Sequence, residues 1–211
     1  AVSRRIAEGD KIVKADSYPG WSPMYMLGND VYERTLGIMG LGRIGKAVAE
    51  RAFQGFRMKI LHYDVVRDPA FEKDVQAKFC TVDEVLKGSD FVSIHVPLLP
   101  TTKHMISDAQ FKMMKRSAYL INTSRGPVID EAALVRALQN KTIAGAGIDV
   151  FEFEPHESPG MDKLDNLVIT PHLASATFST RAAMATLAAQ NAIDALNGKT
   201  PATQLNSKEV V

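Results

Sequence analysis

Four charged side chains stand where a turn follows an apolar run: Arg125 in INTSRGPVID, Asp149 in GAGIDV, Glu154 in FEFEP and His172 in VITPHLASAT. Arginine, glutamate and histidine together suffice for chemistry on a carbonyl that neighbours a carboxylate. A guanidinium can clamp the carboxylate through two parallel hydrogen bonds and polarise the carbonyl. An imidazolium can give the carbonyl oxygen its proton while hydride arrives from a donor. A carboxylate beside the imidazole fixes its orientation and favours the protonated form. Such a set would reduce a 2-keto acid and, reversed, oxidise a 2-hydroxy acid. Taken singly, each residue has a plainer reading. An arginine before glycine is a surface turn residue, a glutamate before proline is solvated loop, and a histidine after proline is a satisfied loop residue. His62, His95, His104 and His156 keep such readings, with His95 in the HVP run expected near a cofactor.

The surrounding elements lift these residues above the plain readings. Apolar runs at 35–40, 58–63, 91–96, 118–123, 145–150 and 167–170 predict strands; they are continuous rather than alternating, as in parallel strands covered on both faces. Helices are predicted at 44–55, 82–88, 107–115, 130–140 and 178–197, with start signals at Ser107 and Asp130. This alternation implies an α/β fold, a doubly wound parallel sheet whose ligands bind at the carboxyl ends of the strands. Arg125 and His172 come just after predicted strands and Asp149 ends one, so the three fall on one edge. The segment 151–166, with its two prolines and many charges, reads as loop.

On the same edge lies TLGIMGLGRIGKAVAERA, residues 35–52, in which Gly40, Gly42 and Gly45 form G-x-G-x-x-G between a strand and a helix. Alone the pattern is weak; in this context each glycine has a task. Gly40 allows the tight turn, Gly42 lets backbone approach a pyrophosphate, and Gly45 lets the helix pack close to the strand. The helix, with Ile44, Val48 and Ala52 expected on one side, offers its N-terminal N–H groups to the phosphates. The second strand ends LHYD, and Asp64, roughly 20 residues beyond Gly45, suits both ribose hydroxyls of NAD and would repel the 2′-phosphate of NADP. Its plainer reading is a turn-starting aspartate, and Arg67 could soften the rejection of NADP.

Composition excludes several other classes. The chain has 211 residues, 45% hydrophobic and 23% charged, ordinary for a globular protein with a real core. A net charge of +1 gives no electrostatic case for nucleic acid or an acidic membrane. Cys80 is the only cysteine, so no internal disulfide forms, which suits a reducing, cytoplasmic location. No apolar run has transmembrane length, and no metal-ligand spacing occurs, so no metal is expected. At the N-terminus, Val2, Ile6, Gly9 and Val13 make one stripe of a helix with nothing preceding it to pack on, and the chain is expected to be a fragment.

In block content and order the chain resembles the D-isomer-specific 2-hydroxyacid dehydrogenase family. The resemblance runs through GWSPMYMLG, TLGIMGLGRIG, HVPLLPTTKHMI, LINTSRGPVIDEAAL, GAGIDVFEFEP and TPHLASAT, and is nearest the glyoxylate and hydroxypyruvate reductase branch. It implies a single Rossmann-type NAD-binding domain at 20–196. It makes 1–19 an interdomain and dimer helix segment, and 197–211 a tail returning to a substrate domain absent from the chain. It implies Arg125 as the substrate arginine, His172 as acid–base catalyst and Glu154 as its partner. Asp149 would meet the nicotinamide amide. Leu41, Arg43, Ile44, Val96, Pro97, Thr102, Thr123, Ser124 and Ser175 would line the cofactor.

The implied partners are a small 2-keto or 2-hydroxy acid and a second copy of the chain. Trp21, Met24, Tyr25 and Leu27 of GWSPMYML read as a dimer or interdomain contact, or else as pocket lining. Two rivals share the resemblance. 3-Phosphoglycerate dehydrogenase carries the same three residues. Corepressors of the C-terminal-binding-protein type also bind NAD, but Ser175 and Ala176 stand here where those carry a tryptophan. Glu154 argues against the formate dehydrogenases, which have glutamine there.

Overall fold

The computed structural model describes residues 1–205. They divide into two compact units, one over residues 1–171 and one from His172 onward. From residue 206, the expected tail lies outside the described residues.

The first unit holds a seven-stranded, wholly parallel sheet in the order β3-β2-β1-β4-β5-β6-β7. The strands are β1 (Thr35–Met39), β2 (Lys59–Tyr63), β3 (Lys78–Phe79), β4 (Phe91–Ile94), β5 (Tyr119–Asn122), β6 (Gly145–Ile148) and β7 (Leu167–Ile169). Between them run α2 (Arg43–Phe56), α3 (Pro69–Asp74), α4 (Val82–Gly88), α5 (Asp108–Met113) and α6 (Glu131–Gln139), after an N-terminal α1 (Ile6–Lys14). The strand order reverses between β1 and β4, which makes their carboxyl ends the switch point where such sheets bind ligands.

Successive strand residues point to opposite faces, and both faces are filled. Leu36, Ile38, Phe91 and Tyr119 join Ala49 and Ala52 of α2 in one core. Met39, Val92, Ile94 and Leu120 join Leu86, Phe111 and Leu134 of α4, α5 and α6 in the other. Two-sided burial explains the continuously apolar strand sequences. Helices α3, α4 and α6 start at side-chain caps. Thr81 and Glu84 form a reciprocal capping box on α4, and Asp130 accepts the Ala133 N–H at 3.0 Å on α6. Asp68, with Pro69 in the first turn, starts α3, which together with the two-residue β3 was not anticipated from sequence.

The N-terminal stripe is not one helix. A short 3₁₀ turn at Val2–Arg4 ends in a left-handed Arg5 (φ 54°), and α1 begins only at Ile6, with Arg5 donating to both carboxylate oxygens of Glu8. The break turns Val2 into the sheet core, beside Gly145 and Gly147, while Ile6 and Val13 stay about 60% exposed. On α2 the packed line is Gly45, Ala49 and Ala52, and Ile44 is exposed rather than part of it.

The second unit is built on α7 (Phe178–Leu196), capped by Thr177, whose hydroxyl accepts the Thr180 N–H at 3.2 Å. Asn191 donates to Thr203 at 2.6 Å and holds the chain beyond the helix.

Candidate functional site

At the carboxyl end of β1 the chain turns through Gly40 (φ 95°) into α2. A Cβ on Gly40 would lie 2.8–2.9 Å from backbone atoms of His95 and Val96, so the loops after β1 and β4 touch at the switch point. A Cβ on Gly45 would meet the Gly40 carbonyl oxygen at 2.1 Å, which sets the close approach of α2 to its own turn. Gly42 differs, because a Cβ there meets nothing within 4 Å. It caps α2 without a side-chain hydrogen bond, so the cap leaves the first N–H groups of the helix to another partner. That is the geometry a pyrophosphate needs. Leu41 is buried, and Arg43 and Ile44 are exposed on the first turn.

Asp64 directly follows β2, next to β1 in the sheet, and its Oδ2 accepts the Leu41 N–H at 2.5 Å. Its Oδ1 accepts the Val66 N–H at 3.2 Å. Each oxygen retains a lone pair for a ribose hydroxyl. Val65 and Val66 after β2, and Leu98 and Leu99 after β4, expose apolar side chains on the two loops flanking the glycine turn. Sequence reasoning did not single them out, although two valines after a strand-ending aspartate are an unusual turn composition.

On the other side of β1, Val96 is buried and Pro97 exposed after β4. The Thr102 hydroxyl donates to the Pro97 carbonyl at 2.6 Å and accepts the Leu99 N–H at 2.8 Å, so it closes its own turn. His95 bonds Ser93 through Nε2 at 2.9 Å, and burial pushes its pKa down to about 4, so the imidazole is neutral at pH 7.

The loop after β5 is shaped by Asn122, a buried residue that sequence reading treated only as strand. Its Oδ1 accepts the Ser124 N–H at 3.0 Å and hydroxyl at 2.8 Å, and its Nδ2 donates to the Arg125 carbonyl at 3.0 Å. Thr123 and Arg125 are thereby held at the exposed crest, with Arg125 Nη1 donating to the Ser124 carbonyl at 2.6 Å. An Asn followed by Thr-Ser-Arg-Gly is an Asx-turn signal. Gly126 then packs backbone on backbone, since a Cβ there would lie 1.9 Å from the Phe151 carbonyl group.

Asp149 follows β6, is 4% exposed, and accepts the Thr170 hydroxyl at 2.5 Å. Glu154 is exposed in the next loop, where its Oε1 accepts the Phe151 N–H at 3.1 Å. That loop is anchored by the buried Glu131, which accepts the Glu152 N–H and the Ser158 hydroxyl, each at 2.6 Å. It is also tied by His104 Nε2 to Glu152 Oε1 at 2.6 Å. No local sequence signal marks Glu131 or His104 for this anchoring, because their partners lie 21–48 residues away.

The first unit therefore gathers the glycine loop, Asp64, Val96, Pro97, Thr123, Ser124, Arg125 and Asp149 along one edge of one sheet. His172, exposed with a left-handed backbone (φ 53°), and Ser175 belong to the second unit. A cavity of about 540 Å³ opens at the opposite, amino-terminal edge among Arg116, Lys141, Lys163 and Asn166; none of the site residues lies there. Among the described residues no cluster of three His, Cys, Asp or Glu could hold a metal, and no helix is long and apolar enough to cross a membrane.

A parallel sheet with a glycine turn at its switch point, a helix start without a side-chain cap and a carboxylate ending the next strand defines a dinucleotide-binding protein. The profile of the D-isomer specific 2-hydroxyacid dehydrogenase NAD binding domain matches residues 1–174, and the chain belongs to that family. A glyoxylate reductase of Korarchaeum cryptofilum is 49% identical over all of this chain. The NAD complexed form of a D-isomer specific 2-hydroxyacid dehydrogenase from Lactobacillus delbrueckii ssp. bulgaricus superposes with a TM-score of 0.82 at 36% identity, covering 96% of this chain and 65% of that one. A glyoxylate reductase from Paecilomyes thermophila gives 0.85 at 34% identity, covering 94% and 60%. The chain spans 64% of the length of the Korarchaeum relative.

Proposed function

We propose that the protein bearing this chain is an NAD-dependent oxidoreductase that interconverts 2-keto acids and D-2-hydroxy acids, of the glyoxylate and hydroxypyruvate reductase type. The observation that supports this best is the single edge on which the glycine loop, Asp64, Arg125 and Asp149 meet. The glyoxylate reductases among its relatives favour that branch.

The nicotinamide, when bound, supplies and recovers the hydride. Arg125, held at the crest by the Asn122 turn, clamps the substrate carboxylate and polarises the adjoining carbonyl. His172 gives the carbonyl oxygen its proton, and takes it back in the oxidative direction. Glu154 is the carboxylate partner that orients the imidazole. Asp149 orients the nicotinamide amide, while Val96, Pro97, Thr102, Thr123, Ser124 and Ser175 line the cofactor. The protein acts in the cytoplasm as a homodimer joined through residues 1–19 and the exposed Trp21, Met24 and Leu27.

The test is NADH consumption by the full-length protein with glyoxylate and with hydroxypyruvate. Replacing His172 by Gln should lower kcat by about 10²–10⁴-fold with NADH affinity unchanged. Unchanged turnover would remove His172 from the chemistry.

A further inference from the structure

One cluster at the end of β2 has no part in the site as described so far. His62, fully buried on β2, has Nε2 3.3 Å from Glu72 Oε1, yet neither ring nitrogen meets hydrogen-bond geometry with any partner. Glu72 is itself buried on α3 and accepts a two-point pair from Arg67, Nε to Oε1 at 3.1 Å and Nη2 to Oε2 at 2.6 Å. The same guanidinium lies over the Phe79 ring of β3, 4.8 Å from its centroid, and Phe79 stands edge-on to His62 at 5.4 Å. Arg67 is thus held by a carboxylate fork and by an aromatic face.

Arg67 stands three residues past Asp64, in the loop beside the position of a cofactor's adenosine ribose. An arginine in that loop is the group that accepts a 2′-phosphate when it is free to turn to it. Here its Nε and Nη2 are committed to Glu72. Leaving them would strand a carboxylate that is 9% exposed, a costly outcome for a buried charge. Arg67 itself is 55% exposed, so a dinucleotide can reach it; the pair, not burial, is what holds it back. The Arg67 guanidinium keeps the Glu72 pKa below the ordinary carboxylate value, and burial keeps that of His62 below the ordinary imidazole value. The fork therefore stays charged and answers Arg67 rather than an imidazolium. Lys46 on α2 is likewise paired, with Asp68 of the same loop.

We propose that Glu72 is a specificity-determining residue: its two-point hold on Arg67 withholds the guanidinium from a 2′-phosphate and keeps the site selective for NAD over NADP. The proposal rests on the dinucleotide reading of the Gly40–Gly45 loop.

The experiment is a pair of fluorescence titrations, NADH and NADPH, on the wild-type protein and on Glu72→Gln, Arg67→Ala and the double variant. In Glu72→Gln the Kd for NADPH should fall about tenfold, with that for NADH within about twofold of wild type. Arg67→Ala alone should leave the NADPH affinity as it is, because the residue is already withheld. The double variant should return NADPH binding to the wild-type value. A folded Glu72→Gln protein with unchanged NADPH affinity would overturn the proposal. So would weaker NADPH binding in Arg67→Ala, an arm that remains decisive if Glu72→Gln does not fold. Absence of NADH binding by the wild type would overturn the dinucleotide reading and this proposal together.

Discussion

The Leu41 N–H donates to Asp64 Oδ2 at 2.5 Å, joining the glycine turn after β1 to the carboxylate that ends β2. A turn and a strand end that lie 23 residues apart in sequence are thereby joined directly in space. Substitution of Asp64 by Ala should therefore do two things. It removes the acceptor for the ribose hydroxyls, and it leaves the Leu41 N–H to water. NADH affinity should fall by about 10–100-fold in a titration, and unchanged affinity would exclude Asp64 from the ribose site.

The three glycines of the loop should separate by function. Gly40→Ala puts a side chain at φ 95° within 3 Å of His95 backbone, and Gly45→Ala meets the Gly40 carbonyl at 2.1 Å. Each should destabilise the fold by about 2–4 kcal/mol and lower Tm by roughly 5–15 °C. Gly42→Ala meets no protein atom, so Tm should hold while NADH binding weakens by about tenfold or more, because the methyl occupies the phosphate approach. Loss of stability in Gly42→Ala with normal NADH binding would contradict the assignment.

Gly126 is the point where the β5 and β6 loops press together. A methyl there, 1.9 Å from the Phe151 carbonyl, must push apart the loop carrying Arg125 and the loop carrying Glu154. In the full-length protein Gly126→Ala should cost more than about tenfold in kcat/KM for glyoxylate while NADH still binds. Kinetics indistinguishable from wild type would show that the two loops need not be in register.

Acid should destabilise the fold before its carboxylates protonate. The pKa of His95 falls from an ordinary 6.5 to about 4 through burial, and that of buried His62 is also lowered, first by desolvation. Between those values the unfolded chain binds more protons than the folded one, so stability is full above pH 6.5 and declines as pH falls toward 4. The decline from His95 is on the order of 2 kcal/mol, allowing for its partial exposure. Urea unfolding at pH 7 and pH 5 measures it. His95→Gln should flatten the slope, and an equally steep slope in that variant would assign the effect elsewhere.

Much of the fold was legible because two-sided burial writes parallel strands as continuous apolar runs. The runs were read slightly long, however. Gly40, Val96, Asp149 and Val150 stay buried past the last strand residue, since the chain remains packed as it enters the crest loops. The two-residue β3 carries no periodicity to read, and α3 announces itself only through Asp68-Pro69. The Arg5 break was hidden because a left-handed residue leaves the 3.6-residue stripe intact on paper. At the site, residue types and order pointed to Arg125, Asp64 and the glycines. The supports of Asn122, Glu131 and Glu72 depend on which loops meet in space, and Glu72 on a helix reads only as a solvated charge.

The claim on which the rest depends is that the Gly40–Gly45 loop and Asp64 hold NAD. The direct test is a titration of this chain with NADH, followed by nicotinamide fluorescence or by calorimetry. Saturable binding of one NADH per chain, weakened in both Gly42→Ala and Asp64→Ala, is the predicted result. No saturable binding by a folded chain, or binding indifferent to both substitutions, would contradict it.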